Sequence, residues 1–467
     1  MSYDQAISQM YALGHELAQT PAHKFDLAHI RVLLSALGHP EKRFPSVLVA
    51  GTNGKGSTAA SLASILQASG LRTGLYTSPH LVRINERIRL NGQSIADDDF
   101  AMLHEVVDRT AQRLVGEGDL PWHPSFFEML TAMAFEYFAQ NHPDIVVFEV
   151  GMGGRLDATN VVDPRLSIIT DIALDHQNYL GTTVAQIARE KAGIIRPNGV
   201  VVTLPQSPEA NDVIGNAILD LGARAVNAVP YVPPVSPGSD SSLAVDRNQP
   251  DRNPSARSQP AFRNRYPLEV RGSQIMVDSP LVGRHQLRNL ALSIAAAEEL
   301  HNQGMQRITP ATIEKGIRDT KWPGRFHVVP ATNDTPEYVL DVAHNPAGAW
   351  SLRSTLSAAY PTVGNGRNLT LVFGVMRDKA VQEMTEILFP VADQVIVATA
   401  NNPRSATLAE IRQAAARMAE SIHIENAPDV ASALRQAQKQ AGTSGLVVVT
   451  GSIYIVGEAM QILGISI

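Results

Sequence analysis

The feature that most constrains the fold of this chain is a series of short, unbroken apolar runs separated by amphipathic segments. The first run, SVLVA, starts at Ser46, and similar runs start at Ile145, Leu166 and Val200. Unbroken runs of Val, Ile and Leu are typical of parallel strands that are buried on both faces, with helices as the connections. The pattern therefore predicts an α/β protein with a mostly parallel sheet.

A second set of apolar runs follows Trp322 and Pro323, consisting of YVLDVA, LTLVFGV, QVIVATA and LVVVTG with helical stretches between them. We predict that residues 1–322 form a larger P-loop-type domain and that residues 323–467 form a smaller, Rossmann-like α/β domain. Two domains agree with the length of 467 residues, which exceeds what one hydrophobic core usually holds.

Between about residues 229 and 267 the composition becomes rich in Pro, Ser, Asn and Arg and poor in large apolar side chains. Such a segment cannot bury enough apolar surface to form a core of its own. We interpret it as a solvated insertion in the larger domain; a regulatory or partner-binding arm is the alternative.

The composition also narrows the classes of protein to which the chain can belong. No apolar run is long enough to cross a bilayer, and the start MSYDQAISQM lacks the features of a signal peptide, so we expect a cytoplasmic protein with no membrane partner. The absence of cysteine restricts any metal site to oxygen and imidazole ligands. The net charge of -6, without a strongly basic block, argues against nucleic-acid binding. We further expect a monomer.

The segment GTNGKGST follows the first predicted strand and opens a helix. Its glycines, Gly51, Gly54 and Gly56, allow backbone N–H groups to approach phosphate oxygens, the helix N-terminus adds positive potential, and Lys55 can reach the outer phosphates. The segment departs from the standard phosphate loop because Gly56 separates Lys55 from Ser57. The residues expected to contact a nucleotide here are Thr52, Asn53, Gly54, Lys55, Gly56, Ser57 and Thr58.

This variant loop resembles that of the Mur ligase superfamily, and the chain as a whole is similar to the folylpolyglutamate synthases, including their bifunctional dihydrofolate synthase form. Six segments in order carry the resemblance: GTNGKGST, TSPHLVRINERI, FEVGMGGRLDATN, ALDHQNYLG, EKAGI and DVAHNPAG. The resemblance implies ligation of L-glutamate to folate, and to dihydropteroate, through an acyl phosphate formed with ATP and Mg²⁺.

Two magnesium sites are implied by the resemblance. Glu149 ends an apolar strand at the edge where open α/β sheets bind ligands, and its carboxylate suits Mg²⁺. The resemblance adds Ser78, His176 and Lys191, the last as a carbamylated lysine that presents an oxygen anion. Together with Lys55 and His344, His176 and Lys191 are also the expected catalytic residues.

The resemblance assigns the remaining contacts residue by residue. Asn289, Arg325 and Asp341 are expected to contact ATP, while His344 and Ser452 lie on the glutamate side. The residues expected to contact the folate-type substrate are Arg83, Phe127, Asp157 and Ala158. From the residues alone, helix caps and strand-end hydrogen bonds explain most of these positions equally well, and Phe126 and Phe127 fit either a pterin stack or the core.

Three other functions stay open. A muramyl-peptide ligase would share the loop and the mechanism, but it normally has an additional N-terminal domain, whereas only about 45 residues precede the loop here. A P-loop switch would turn over ATP without glutamate. A catalytically silent scaffold is disfavoured because the charged positions of the motifs are all present.

Overall fold

The computed structural model describes residues 1–14, 26–234, 243–245, 262–361, 367–417 and 422–465. The chain divides into two compact units, one made of Met1–Val232 and Asn289–Gly316, the other of Pro233–Arg288 and Ile317–Ile467. The domain boundary expected between residues 322 and 323 stays a prediction.

The larger unit is built on a sheet whose described strands are β1 (Ser46–Ala50), β2 (Thr73–Tyr76), β3 (Ile88–Leu90), β4 (Gln93–Ser94), β5 (Ile145–Glu149), β6 (Leu166–Ile169), β7 (Val200–Thr203) and β8 (Arg224–Asn227). The strand order is β4-β3-β2-β5-β1-β6-β7-β8. In the sheet, all neighbouring pairs from β2 across to β8 are parallel, whereas β3 is antiparallel to both of its neighbours, β2 and β4. The mostly parallel sheet predicted from the apolar runs is confirmed.

Among the described residues up to 232, the α-helices are α1 (Tyr3–Ala12), α2 (Leu27–Ala36), α3 (Lys55–Ala68), α4 (Asp97–Glu117), α5 (Phe126–Asn141), α6 (Gln177–Leu180), α7 (Val184–Ala192) and α8 (Pro208–Asp220). Later in the chain, α9 (Arg284–Asn302) and α10 (Pro310–Arg318) contribute residues to this unit. Side-chain caps fix several helix starts; Ser125, for example, accepts from the backbone of Glu128, whose carboxylate accepts from the Ser125 N–H in return.

Phenylalanine rings anchor the core of the larger unit. The ring of Phe148 on β5 lies 6.1 Å from Phe44, 5.2 Å from Phe135 and 5.8 Å from Phe138. Because Phe135 and Phe138 belong to α5, these contacts hold α5 against β5. They also fix the carboxyl end of β5, where Glu149 lies.

The described residues of the smaller unit form two sheets. An antiparallel sheet has the order β11-β10-β9, with β9 (Leu243–Val245), β10 (Phe262–Val270) and β11 (Ser273–Ser279). The second has the order β12-β13-β17-β14-β15-β16, made of β12 (His327–Val329), β13 (Glu337–Asp341), β14 (Leu369–Phe373), β15 (Gln394–Ala398), β16 (His423–Ala427) and β17 (Leu446–Thr450). Its strands are parallel except β12.

Five helices follow in the described part of the smaller unit: α11 (Pro346–Ala359), α12 (Val381–Leu388), α13 (Leu408–Ala414), α14 (Val430–Ala441) and α15 (Ile453–Ile462). Strands and helices thus alternate along this unit as the second set of apolar runs predicts. The α/β fold class with a second, smaller α/β part is confirmed.

The end of the Pro-rich segment differs from the solvated loop we expect. Residues 262–267 belong to β10, where Phe262, Asn264 and Tyr266 are buried and alternate with more exposed residues. The buried Asn264 donates to the carbonyl oxygens of Leu281 at 2.8 Å and Gly283 at 3.2 Å. A polar residue at an inward position hides the period-two pattern of a strand. Residues 235–242 and 246–261 of the segment lie outside the described residues.

None of the helices in the described residues combines the length and the apolar character that a bilayer-spanning helix needs.

Candidate active site

The glycine-rich loop connects β1, which ends at Ala50, to α3, which begins at Lys55. The first helical hydrogen bond runs from the Thr58 N–H to the Gly54 oxygen, at 2.9 Å. The N–H groups of the residues just before Thr58 therefore lie in the first turn of α3. The positive end of the helix dipole favours an anion there. The predicted order of strand, loop and helix is confirmed.

Two glycines of this loop have a backbone that other residues rarely adopt and no room for a side chain. Gly51 has a φ of +153°, and a Cβ there would lie 1.8 Å from Thr170 Oγ1. Gly54 has a φ of +89°, and a Cβ there would lie 2.1 Å from Asn289 Oδ1. The fold thus packs Asn289, one of the predicted nucleotide contacts, directly against the loop.

The segment after β6 supports the other side of the loop. The Asp171 carbonyl oxygen accepts from the N–H groups of Thr52 at 2.9 Å and Asn53 at 3.1 Å. The Thr52 hydroxyl donates to the Ala173 carbonyl at 3.0 Å and accepts from the Ala173 N–H at 3.1 Å. Thr52 and Asn53 therefore shape the loop. Sequence reasoning missed Asp171 because its role belongs to the backbone, which no residue type signals.

Two lysines contact the loop backbone. Lys55 Nζ donates to the Thr52 oxygen at 3.2 Å, and Lys191 Nζ, from α7, donates to the Gly51 oxygen at 2.7 Å. Lys191 is only 4% exposed. Burial and, secondarily, the positive charge of Lys55 lower the pKa of Lys191 to about 7, against the opposing effect of Asp175 and Asp157.

The carboxyl ends of β2 and β5 bring Ser78 and Glu149 together. Glu149 is 5% exposed, and its Oε2 accepts from the Ser78 N–H at 3.2 Å. Within the residues that the structure describes, the buried Ser78 hydroxyl oxygen makes no hydrogen bond. A carboxylate beside an unsatisfied hydroxyl is an oxygen donor set that fits Mg²⁺.

His176 follows β6, and β5 and β6 flank β1 in the sheet, so its segment reaches the same edge as the loop. The His176 N–H donates to Asp175 Oδ1 at 2.8 Å. The described part of the chain gathers no group of three or more His, Asp or Glu side chains suited to a metal. A magnesium ion here would therefore need the Ser78 hydroxyl, phosphate oxygens or water besides Glu149.

The structure distinguishes the two phenylalanines that precede Glu128. Phe126 is buried and stacks on Tyr11 with 5.9 Å between ring centroids. Phe127 is half-buried, and a Cβ on Gly151 would lie 2.7 Å from its ring. Phe127 therefore covers the backbone directly after β5 and keeps part of its ring accessible, whereas Phe126 belongs to the core.

The other residues expected on the substrate side already have partners within the chain. Asp157 accepts from Met152 N at 2.9 Å and from Thr159 N at 3.0 Å, and burial raises its pKa. Ala158 is buried in the short turn that Asp157 caps. Arg83 is 54% exposed and donates to Asp97 at 2.7 Å. Asp157 and Ala158 shape the loop after β5, and Arg83 forms a surface ion pair.

The predicted residues of the smaller unit meet at the carboxyl ends of β13 and β17, which are neighbours in the sheet. Asp341 accepts from the N–H groups of Phe326 at 2.8 Å and Ala343 at 2.9 Å. Burial raises the pKa of Asp341, and the charge of Arg325 opposes this shift. Arg325 itself donates to the Gly324 oxygen at 3.2 Å.

His344 and Ser452 lie at the starts of the helices that follow these two strands. His344 Nδ1 donates to the Val342 carbonyl oxygen at 3.0 Å. Ser452 caps α15 by accepting from Ile455 N at 3.2 Å. The role of these side chains in binding stays a prediction.

Known proteins resemble this chain over nearly its whole length. A family model described as the glutamate ligase domain of the Mur ligases matches residues 324–453. The dihydrofolate synthase/folylpolyglutamate synthase of Bacillus subtilis is 35% identical and aligns with 92% of this chain and 93% of its own. The folylpolyglutamate synthase of Lacticaseibacillus casei is 32% identical, with 99% of each chain covered.

Solved structures agree. Folylpolyglutamate synthase of Mycobacterium tuberculosis complexed with ADP and AMPPCP superposes with a TM-score of 0.79 at 30% identity, covering 98% of this chain and 99% of that one. A complex of a folylpolyglutamate synthase with AMPPCP and folate gives a TM-score of 0.76 at 30% identity, covering 99% and 100%.

These likenesses confirm the predicted fold and the predicted class of enzyme, a ligase of the Mur superfamily. They extend over both units, from the glycine loop after β1 to the helix that Ser452 caps, so the chain belongs to the family of folylpolyglutamate and dihydrofolate synthases.

Proposed function

We propose that this chain uses ATP to ligate L-glutamate to a folate-type carboxylate, extending tetrahydrofolate to polyglutamates and converting dihydropteroate to dihydrofolate. The observation that carries the proposal is the meeting of a glycine-lined helix start, two lysines and a buried carboxylate at one edge of the larger sheet. Bifunctional relatives such as that of Bacillus subtilis support activity on both substrates.

The chemistry follows from the inertness of a carboxylate toward amines. A carboxylate oxygen of the substrate attacks the γ-phosphorus of ATP, the bond to the β-phosphate oxygen breaks, and ADP leaves. The resulting acyl phosphate is attacked at carbon by the glutamate amine, which loses a proton, and inorganic phosphate leaves with the bonding electrons. The product is an amide.

The first step brings two anions together, so the site must supply positive potential. Two like unit charges 4 Å apart repel by about 4 kcal/mol at an effective dielectric constant of 20. Lys55 and the first turn of α3 provide fixed positive charge where the phosphates would lie. Because Gly51 and Gly54 carry no side chains, phosphate oxygens can approach the loop backbone closely.

We propose two magnesium sites that draw their protein ligands from Ser78, Glu149, His176 and Lys191. Bound magnesium would neutralise charge on the phosphates. We also propose that Lys191 is carbamylated. A pKa of about 7 leaves a large part of its amine uncharged, and the uncharged amine is the form that reacts with CO2. Incubation with ¹³C-bicarbonate should give a carbamate signal in the wild type but not in Lys191→Met; equal signals would contradict this.

The accessible ring of Phe127 beside Gly151 supports its assignment to the pterin, and the edge that carries His344 and Ser452 supports a glutamate site in the smaller unit. We also propose that the protein is a cytoplasmic monomer without nucleic-acid or membrane partners.

The decisive experiment measures phosphate release and amide products with ATP and Mg²⁺, comparing dihydropteroate and tetrahydrofolate, each with and without L-glutamate. We expect glutamate-dependent release with both pterins and products one glutamate heavier. Release that ignores glutamate would favour the P-loop switch. Product formed only from a muramyl-peptide precursor would favour the muramyl-peptide ligase.

A further inference from the structure

Gln206, in the turn between β7 and α8, continues the pairing of β6 and β7 beyond the end of the sheet. The last backbone pair of these strands joins Ile169 and Thr203. Past that point, the Gln206 side chain donates from Nε2 to the Thr170 carbonyl at 3.1 Å and accepts at Oε1 from the Ile172 N–H at 3.0 Å. One carboxamide thus makes the two hydrogen bonds, to Thr170 and Ile172, that the backbone of a neighbouring strand would otherwise make.

Gln206 is itself held by a second carboxamide. Asn211, in the first turns of α8, accepts at Oδ1 from the Gln206 N–H at 2.9 Å and donates from Nδ2 to the Gln206 carbonyl at 3.0 Å. Both the N–H and the carbonyl of the Gln206 backbone are therefore hydrogen-bonded to Asn211. Since each carboxamide faces one N–H and one carbonyl, the donor and acceptor atoms of both side chains are determined by their partners.

The segment that Gln206 fixes is the one against which the glycine loop rests. Thr170 Oγ1 occupies the place where a side chain on Gly51 would begin, 1.8 Å from an ideal Cβ. The next residue, Asp171, accepts at its carbonyl from the N–H groups of Thr52 at 2.9 Å and Asn53 at 3.1 Å. A shift of residues 170–172 would therefore shift the backbone of residues 51–53.

We propose that Gln206 is a positioning residue for the nucleotide, acting through residues 170–172 to hold the backbone of residues 51–53 in the arrangement that accepts phosphate. The proposal rests on the proposed nucleotide-binding role of the loop. In this role Gln206 does not contact the reacting atoms; its carboxamide fixes the position of residues 170–172.

The two hydrogen bonds from the Gln206 side chain to Thr170 and Ile172 are called the Gln206 clamp below. Their donor and acceptor atoms suggest substitutions that separate positioning from simple packing. Gln206→Met keeps the length of the side chain but offers neither donor nor acceptor. Gln206→Glu keeps the acceptor for Ile172 but, when ionised, directs a carboxylate oxygen at the Thr170 carbonyl. When protonated, the same glutamic acid again has one donor and one acceptor, so acid should restore the clamp.

The experiment measures KM for ATP, KM for the pterin substrate, and binding of AMPPCP to the full chain. For Gln206→Met we expect KM for ATP to rise about tenfold, the effect of one or two lost hydrogen bonds, with KM for the pterin changed less than about twofold. In Gln206→Glu, a carboxylate oxygen would face the Thr170 carbonyl, which should raise the pKa of the new glutamate above its ordinary value of about 4.3. We therefore expect the ratio of variant to wild-type kcat/KM for ATP to increase as the pH falls from 8 to 5.

Gln186→Glu is the matched control. Gln186 is exposed, and its Oε1 accepts from the N–H groups of Thr182 at 2.8 Å and Thr183 at 3.1 Å, which a carboxylate can also do. This variant should follow the wild type at every pH. The control therefore shows what an amide-to-carboxylate change does when no donor is needed.

A KM for ATP at the wild-type value in both Gln206 variants would overturn the positioning role, and so would an equal rise in KM for all substrates. If Gln206→Met does not fold, the pH dependence of Gln206→Glu decides alone: a ratio to wild type that stays constant contradicts the proposal. Failure of the wild type itself to bind AMPPCP would refute the proposed function, a result distinct from a failure of the variants.

Discussion

The amino group of Lys191 lies 2.7 Å from the carbonyl oxygen of Gly51, so the last turn of α7 is hydrogen-bonded to the first residue of the glycine loop. Burial lowers the pKa of this lysine to about 7. The protonation of one side chain is therefore linked both to the stability of the larger unit and to the loop that we assign to ATP.

Replacing Lys191 by Met should change how stability depends on pH. The pKa of Lys191 is about 7 in the folded chain, below its ordinary value of 10.5, so the unfolded chain binds more protons between these pH values. Wild-type stability should therefore rise with pH in this window relative to Lys191→Met, by up to about 1.4 kcal/mol per pH unit.

Urea unfolding of both proteins in CO2-free buffer from pH 7 to 10 checks this linkage, with Lys439→Met, at an exposed position of α14, as the baseline. A free-energy difference between wild type and Lys191→Met that stays constant over this range would contradict the lowered pKa.

Lys55→Ala should abolish ligation without unfolding the chain. Its charge lies beside the loop that would receive the phosphates, so we expect kcat to fall by at least about 10²-fold, the usual effect of removing one charge-stabilising group. Circular dichroism and thermal unfolding should match the wild type. Lys42→Ala, at an exposed position of the same unit, is the control; near-normal ligation by Lys55→Ala would refute the assignment of Lys55.

Gly54→Ala should impair nucleotide binding far more than Gly70→Ala. Both glycines have a left-handed backbone, with φ of +89° and +73°, and they lie at opposite ends of α3. A Cβ at Gly54 meets Asn289 at 2.1 Å, whereas one at Gly70 meets nothing within 4 Å. Backbone strain alone costs about 1 kcal/mol in either variant.

Calorimetric titration with AMPPCP compares these two glycine variants. We expect affinity to fall more than about tenfold in Gly54→Ala only, because the collision displaces Asn289 or the loop. Equal affinities in the two variants would show that the contact with Asn289 does not matter for binding.

Phe127→Ala should weaken binding of the pterin substrate and leave ATP unaffected. Loss of a stacking ring is worth about 1 kcal/mol, so KM for dihydropteroate should rise roughly fivefold. Steady-state kinetics with each substrate varied in turn gives this comparison, and Trp350→Ala, an exposed aromatic residue of the smaller unit, is the control. An increase in KM for ATP instead would place Phe127 on the nucleotide side.

Local patterns were sufficient to predict the elements that carry the candidate site. The runs beginning at Ser46, Ile145 and Leu166 became β1, β5 and β6, since an unbroken apolar strand can be satisfied only between two covered faces. Glycines at a strand-to-helix junction likewise predicted the loop between β1 and α3, and the structure shows that Gly51 and Gly54 in this loop have positive φ. Residues 262–267 were harder, because the buried Asn264 interrupts the apolar alternation of β10.

The sequence by itself determined the two-part α/β architecture, the glycine loop and the family, because strand periodicity, turn chemistry and motif order are properties of neighbouring residues. Only the tertiary structure decided that Asn289 fills the space beside Gly54, that Phe126 is buried while Phe127 stays accessible, and that Gln206 clamps residues 170–172. It also decided the lowered pKa of Lys191. Burial and hydrogen bonding depend on side chains from distant segments, and folding alone brings these together.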